Sequence, residues 1–398
     1  MRAIRAAHAF DGTRFVPGGA TVIVEGDRIV GVEAAARALP DSVEVTEYDG
    51  TVLPGLFDCH SHLVADGTLG ALERVASMDD EAIDAVIGES LRAQAEAGVT
   101  TVRDLGDRGF RTLGFRDRPG MPRVVAAGPP LTTPRGHCHF LGGAVDGDLR
   151  EAVAHHAERG VDVIKVMASG GFLTPGTDHL GAQFSVAELT AAVEAAHDRA
   201  LPLVAHAHSL VGIQNALAAG VDGIEHFSGL TAEGPRIDDE LLDKVAGRGT
   251  YIGVTLGIDR SANAGMAPPP QIERLLAGMG FTRFEAFVDA CVGALRRLHQ
   301  HGLTVVTGVD SGIAPTKRHG NAWRTVGELV EGGYPVAEAL AAATSVAAEA
   351  CGLAGTTGRL ATGYAADLLV VDGDLAQDPS LLGAPREVVV RGTPVVAV

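Results

Sequence analysis

Two hydrophobic patterns divide the chain. Near its start, ATVIVEGDRIVGV (20–32) places two β-branched runs around Gly26-Asp27, the pattern of a hairpin. The stretch 367–398 repeats it, with DLLVVDGD followed by REVVVRGTPVVAV and a turn at Arg391-Gly392. These strand-rich ends, 1–54 and 355–398, predict one small β unit built from both. Between them, 55–354 alternates short apolar runs with stretches rich in Ala, Glu, Leu and Arg, such as 185–200, 210–219 and 281–301. The apolar runs predict strands at 55–60, 100–104, 123–127, 163–168, 203–208, 223–227, 251–256 and 304–310. Eight strands with intervening helices fit an α/β fold, a (β/α)8 TIM-like barrel with insertions. An open doubly wound sheet is the weaker reading, because no glycine-rich phosphate fingerprint follows the first strand. The APPPQ segment at 267–271 predicts a stiff loop after the seventh strand.

Composition narrows the partners. Lys+Arg number 32 against 50 Asp+Glu, a net charge of −18, which disfavours nucleic acid and anionic membranes. A small-molecule substrate is the expected partner. Hydrophobic content of 46% with 21% charged residues excludes wholesale disorder. The cysteines (Cys59, Cys138, Cys291, Cys351) are scattered without a C-x-x-C, so neither a disulfide framework nor a sulfur-rich zinc site is indicated. No apolar stretch suits a signal peptide or a membrane span, and a cytoplasmic location is expected. Lysine is used only at Lys165, Lys244 and Lys317. Lys165 stands in an apolar run, where a charged ammonium is costly.

In a barrel of this kind chemistry gathers at the C-terminal ends of the strands. The first ends in Asp58-Cys59-His60-Ser61-His62, the fourth contains Lys165, and the fifth ends in His206-Ala207-His208. Glu225-His226 ends the sixth, and Asp310 the eighth. His60 and His62 are two apart, so an extended strand projects both from one face and lets them share a cation. Neutral imidazole suits zinc, iron, cobalt or manganese. Burial pushes lysine toward the neutral amine, which reacts with carbon dioxide to give a carbamate able to bridge two metal ions. Alternatively, Lys165 pairs with an acid such as Glu188 or reaches solvent.

The run Pro54-Gly55-Leu56-Phe57-Asp58-Cys59-His60-Ser61-His62 resembles the opening signature of the amidohydrolase superfamily. Gly363-Tyr364-Ala365-Ala366-Asp367-Leu368 is similar to the matching element of its β-sandwich. Asp162–Lys165, His206–His208, Gly223–His226 and Thr307–Asp310 resemble the branch holding imidazolonepropionase-like proteins and metal-dependent Xaa-Pro dipeptidases. The resemblance spans nearly the whole chain. It implies a β-sandwich from 1–54 and 355–398 around a hydrolase barrel at 55–354. It implies His60 and His62 on the more buried of two divalent metals, zinc being the first expectation. Lys165 would be the carboxylated bridging ligand, and His206 and His226 would hold the second metal. Asp310 would be both ligand and proton carrier. His208 is assigned to substrate or to packing alike. Two departures stand out: T-G-V-D-S-G in the eighth strand, and Ser209 where glycine is frequent.

The parts imply hydrolysis of an amide C–N bond in a dipeptide, N-acyl amino acid or cyclic amide. Two metals would lower the pKa of a bridging water toward 7, and Asp310 would carry its proton to the leaving nitrogen. His137, and after it His139, in Arg135-Gly136-His137-Cys138-His139 are candidates to face the substrate and its developing oxyanion. In 311–321, Lys317, Arg318 and His319 either grip a substrate carboxylate or form a solvated basic turn; Arg318 is the candidate contact. Deamination of a heterocycle and hydrolysis of a lactone or ester remain alternatives, Lys165 weighing against the first. A non-catalytic scaffold should lack a ligand, and none is missing. Homo-oligomers are common among similar proteins, but no interface is legible.

Overall fold

The computed structural model describes residues 1–116, 118–172, 174–263, 273, 276–277 and 281–397. The 267–271 segment expected to form a stiff loop lies outside the described residues.

Both ends of the chain meet in one sheet. Strands β1 (Arg2–Phe10), β2 (Phe15–Val16), β3 (Ala20–Glu25), β4 (Arg28–Ala34) and β5 (Glu44–Pro54) come from the first part. At the far end, β15 (Leu368–Asp372), β16 (Pro385–Val390) and β17 (Thr393–Ala397) complete it. The order is β17-β16-β15-β5-β1-β3-β4, with β2 against β1. β3 and β4 form the expected hairpin, Glu25 opposite Arg28. β5 runs parallel to β1 and antiparallel to β15, where Leu368 faces Pro54. The pairing is one hydrogen-bonded path and does not itself divide into the two layers of the expected sandwich.

β15 shows why the sequence there is a continuous apolar run. Alternate side chains point to opposite faces. Leu368 and Val370 join the terminal core with Ile4, Val22 and Val52, while Leu369 and Val371 join the main core. Both faces are therefore dry. Leu369→Ala is expected to cost about 2–5 kcal/mol, and Val30→Ala, at a site 39% exposed, less than about 0.5. Denaturant unfolding of the two variants checks the contrast.

The middle of the chain holds two parallel sheets. One has β6 (Leu56–Ser61), β7 (Val99–Asp104) and β8 (Arg123–Ala126). The other runs β14-β13-β11-β10-β9, made of β9 (Ile164–Met167), β10 (Leu203–Ser209), β11 (Gly223–Thr231), β13 (Tyr251–Thr255) and β14 (Val305–Gly308). The short β12 (Gly234–Pro235) folds back on β11, which runs four residues past its expected end. Each edge of the smaller sheet is tied to an edge of the larger. Asp310 N–H donates to His60 O at 2.7 Å and His62 N–H to Ser311 O at 2.9 Å. On the other side Leu131 N–H donates to Lys165 O and Met167 N–H to Leu131 O, both at 2.8 Å.

Helices at Val186–His197, Leu210–Ala219 and Phe284–Gln300 occupy the three helical stretches read from the pattern. Ser185 and Glu188 form a reciprocal capping box that fixes the start of the first. This occupies Glu188, so it is not the partner of Lys165. The two parallel sheets share an apolar cluster that includes Phe57, Val125, Val163, Val204, Tyr251 and Val306. Lys165 follows Val163 by two residues, as His206 follows Val204, so the chemistry stands on the same strand faces as this apolar floor. Among the described residues no helix is long and apolar enough to cross a membrane.

Candidate metal centre

Imidazoles from three strands and one loop converge above that floor. The His60 ring centre lies 5.5 Å from that of His62 and 5.0 Å from that of His226. His226 is 4.6 Å from His206, and His206 is 4.6 Å from His137. Asp310 places Oδ1 3.5 Å from His60 Nε2 and 3.3 Å from His62 Nε2. Lys165 Nζ is 3.4 Å from His60 Nε2 and almost wholly buried. The six expected ligands are thus brought together. Ligand atoms of His60, His226 and Asp310 lie within 4.8 Å of one another, as do those of His206, His208 and His226. His226 belongs to both triads, and the second includes His208, which the sequence assigned to substrate or packing.

The backbone is bent to make this possible. Asp310 has φ 64° and His226 φ 70°, left-handed conformations that L residues seldom adopt and that cluster at functional sites. Bare glycine backbone lies against the rings. A Cβ at Gly308 would stand 2.8 Å from His60 Cβ, and one at Gly171 would stand 2.4 Å from His137 Nε2.

Burial governs the charges. It pushes His60 down to about 4, with Lys165 adding to the effect, and His137 and His208 down to about 3. His206 and His226 are driven well below the usual imidazole range by burial and by neighbouring imidazoles. These rings are therefore neutral near pH 7, the form that binds a metal. Burial would raise Asp310, but His60 and His62 outweigh it and hold the carboxyl below its usual range. Burial also lowers Lys165 to about 8, bringing the neutral amine within reach of physiological pH. Burial would lower His62 as well, but its hydrogen bond to Asp310 outweighs this and raises the ring. Together the imidazoles, one carboxylate and a near-neutral amine form a donor set suited to divalent metals.

The sequence profile of the amidohydrolase family matches residues 51–395. The chain belongs to the amidohydrolase family. Imidazolonepropionase from Cereibacter sphaeroides is 28% identical over 98% of this chain and 97% of that protein. Ochratoxinase from Aspergillus niger is 26% identical over 92% of this chain and 80% of the relative. Among solved structures, a Xaa-Pro dipeptidase with bound methionine in the active site matches at TM-score 0.85 and 25% identity, over 99% of each chain. The amidohydrolase relatives are hydrolases, and the family generally uses divalent metals. Its structural neighbours imply a TIM-like barrel for the parallel-stranded part.

The remaining candidates divide. His137 enters the amidohydrolase site and is fixed from two sides. Gln183 Oε1 accepts its backbone N–H at 2.7 Å, and Thr174 Oγ1 lies 3.0 Å from Nδ1. His139 turns back on its own loop, Nδ1 lying 3.0 Å from Gly136 O. Arg318 points its side chain to solvent. Its neighbours turn inward. Lys317 Nζ donates to Thr255 O at 2.6 Å and Val309 O at 2.9 Å, tying the ends of β13 and β14. His319 Nε2 lies 2.8 Å from Ala65 O. The turn is neither wholly solvated nor a cluster of free cations.

Two residues at this centre were given no role from the sequence, Glu225 being named only as a strand end and Arg103 not at all. Arg103, on β7, and Glu225, on β11, are buried and joined, Arg103 Nη2 donating to Glu225 Oε1 at 3.0 Å. Glu225 Oε2 lies 2.8 Å from His60 Nδ1. Burial would raise this carboxyl, but Arg103 and the His60 hydrogen bond hold it at about 2. An arginine inside the strand expected at 100–104 was the available signal for Arg103.

Proposed function

We propose that this amidohydrolase cleaves an amide C–N bond of a small molecule, a dipeptide, N-acyl amino acid or cyclic amide, in the cytoplasm. The observation that carries this reading is the meeting of His60, His62, Lys165, His206, His226 and Asp310 on one apolar floor. In this reading the parallel strands close as a (β/α)8 barrel at 55–354, and 1–54 with 355–398 form the sandwich domain. His60, His62 and Asp310 would hold one divalent ion, His206 and His226 a second, and Lys165 as its carbamate would bridge them. Zinc is favoured by the ligand types. Such ions, when bound, supply Lewis-acid activation of water and of the scissile carbonyl.

The chain's own groups do the rest. Asp310 takes the proton of the attacking water and delivers it to the leaving nitrogen. Thr174 Oγ1 accepts the Cys138 N–H at 2.9 Å and lies 3.0 Å from His137 Nδ1, and in this reading its hydrogen donates to that nitrogen. That leaves His137 with Nε2–H as a donor for the oxyanion that develops on the carbonyl. His208, its Nδ1 2.8 Å from Ser228 Oγ, stands beside His206 and His226 as a substrate contact.

Metal analysis with a substrate panel of dipeptides, N-acyl amino acids, lactams and lactones tests the proposal. Near two metals per chain and turnover of an amide are expected. Near zero metal and no turnover would mark a scaffold, and turnover of lactones alone would move the reading to ester hydrolysis.

A further inference from the structure

Arg103 is among the largest fully buried side chains, and all three of its nitrogens are engaged. Nε donates to Cys59 O at 2.8 Å, Nη1 to Tyr251 Oη, and Nη2 to Glu225 Oε1. The side chain thus reaches from the smaller parallel sheet to β11 and β13 of the larger. Space is kept for this group by two glycines. A Cβ at Gly253 would lie 2.1 Å from Glu225 Oε2, and one at Gly223 2.3 Å from the Tyr251 ring.

Glu225 is ion-paired to Arg103 through Oε1 at 3.0 Å, and a carboxylate only accepts, so the contact of Oε2 with His60 Nδ1 at 2.8 Å requires that nitrogen to carry the hydrogen. The lone pair of His60 is then on Nε2, which faces Lys165 Nζ at 3.4 Å and Asp310 Oδ1 at 3.5 Å. We infer that Glu225, itself held by Arg103, is a positioning residue that locks His60 in the Nδ1–H tautomer, and so fixes where its donor electrons point. This rests on the metal-hydrolase reading for its purpose, though the tautomer itself does not. The rival account is an ion pair that merely fills space. Stability cannot separate the two, because any broken buried pair destabilises.

Glu225→Gln does separate them. Guanidinium only donates, so Arg103 draws the single amide oxygen of glutamine to itself and turns the NH2 toward His60. A donor facing Nδ1 moves the ring proton to Nε2. In Glu225→Gln/Arg103→Met the amide is free to turn its oxygen back, and the original tautomer returns. The measurements are 15N–1H correlation spectra of the metal-free protein, with the His60 signal assigned by its loss in His60→Asn, and zinc affinity by chelator competition.

The wild type is expected to show His60 as Nδ1–H. Glu225→Gln should show Nε2–H with zinc affinity lowered about 10–100-fold. The double variant should recover both. Arg103→Met alone should keep the tautomer and lower the unfolding temperature. A wild-type His60 in the Nε2–H form overturns the inference without recourse to any variant. So does a folded Glu225→Gln that keeps both the Nδ1–H form and the original affinity, or a double variant that recovers neither. If the wild type binds no zinc, the metal reading fails while the tautomer spectra still decide the lock.

Discussion

Asp310→Asn is expected to lower kcat by about 10²–10⁴-fold, the usual contribution of a positioned acid–base group, with little change in KM. The substitution keeps the shape of the side chain. It also leaves the backbone link of residue 310 to His60 O untouched. What it removes is a carboxylate that two histidines hold ionised against its burial. An ionised group can take a proton from water, and the same histidines, by favouring the carboxylate, make the protonated form short-lived enough to pass it on. An amide can do neither. Steady-state kinetics on preparations matched for metal content are the check, and a fully active, metal-replete Asn variant would remove Asp310 from the chemistry.

Lys165→Arg should abolish metal retention and activity together. The amine is lowered to about 8 by burial, so a useful fraction is neutral at physiological pH. A neutral amine adds to carbon dioxide, forming an N–C bond and releasing a proton, and leaves a carbamate. Guanidinium stays charged and does not react in this way. Elemental analysis and activity of one preparation test it, and retention of both would show that the amine is replaceable. The wild type has a matching signature. Metal-stripped protein should regain activity with zinc faster when bicarbonate is present and faster as pH rises through about 8. The sign follows from the neutral amine, which is about a hundredfold scarcer at pH 6 than well above its pKa.

Much of this site was legible because strand alternation is a short-range code. His60 with His62 and His206 with His208 are two apart, and Lys165 stands two beyond Val163, so each shares a face with its mate. Glu225 and Arg103 escaped because their relation is 122 residues long, and no local period reports it. The 317–319 turn failed for another reason. Outside a regular element neighbouring side chains have no fixed alternation, so Arg318 could point to solvent while Lys317 and His319 turned to backbone carbonyls. The hairpin at 20–34 was legible from its turn and the union of both chain ends from their shared strand pattern, whereas the order of strands within that sheet was not, since pairing partners are chosen across the whole length.

That shared terminal sheet also sets a schedule for synthesis. β5 is made early, but its neighbour β15 is roughly three hundred residues away. Through most of translation the nascent chain carries β5 with one edge open and the buried run Gly50–Pro54 uncovered. An open apolar edge is a template for wrong pairing. The rest of the protein must therefore leave the ribosome while its first sheet is still waiting for its last strands, and a nascent-chain chaperone would find its work at β5.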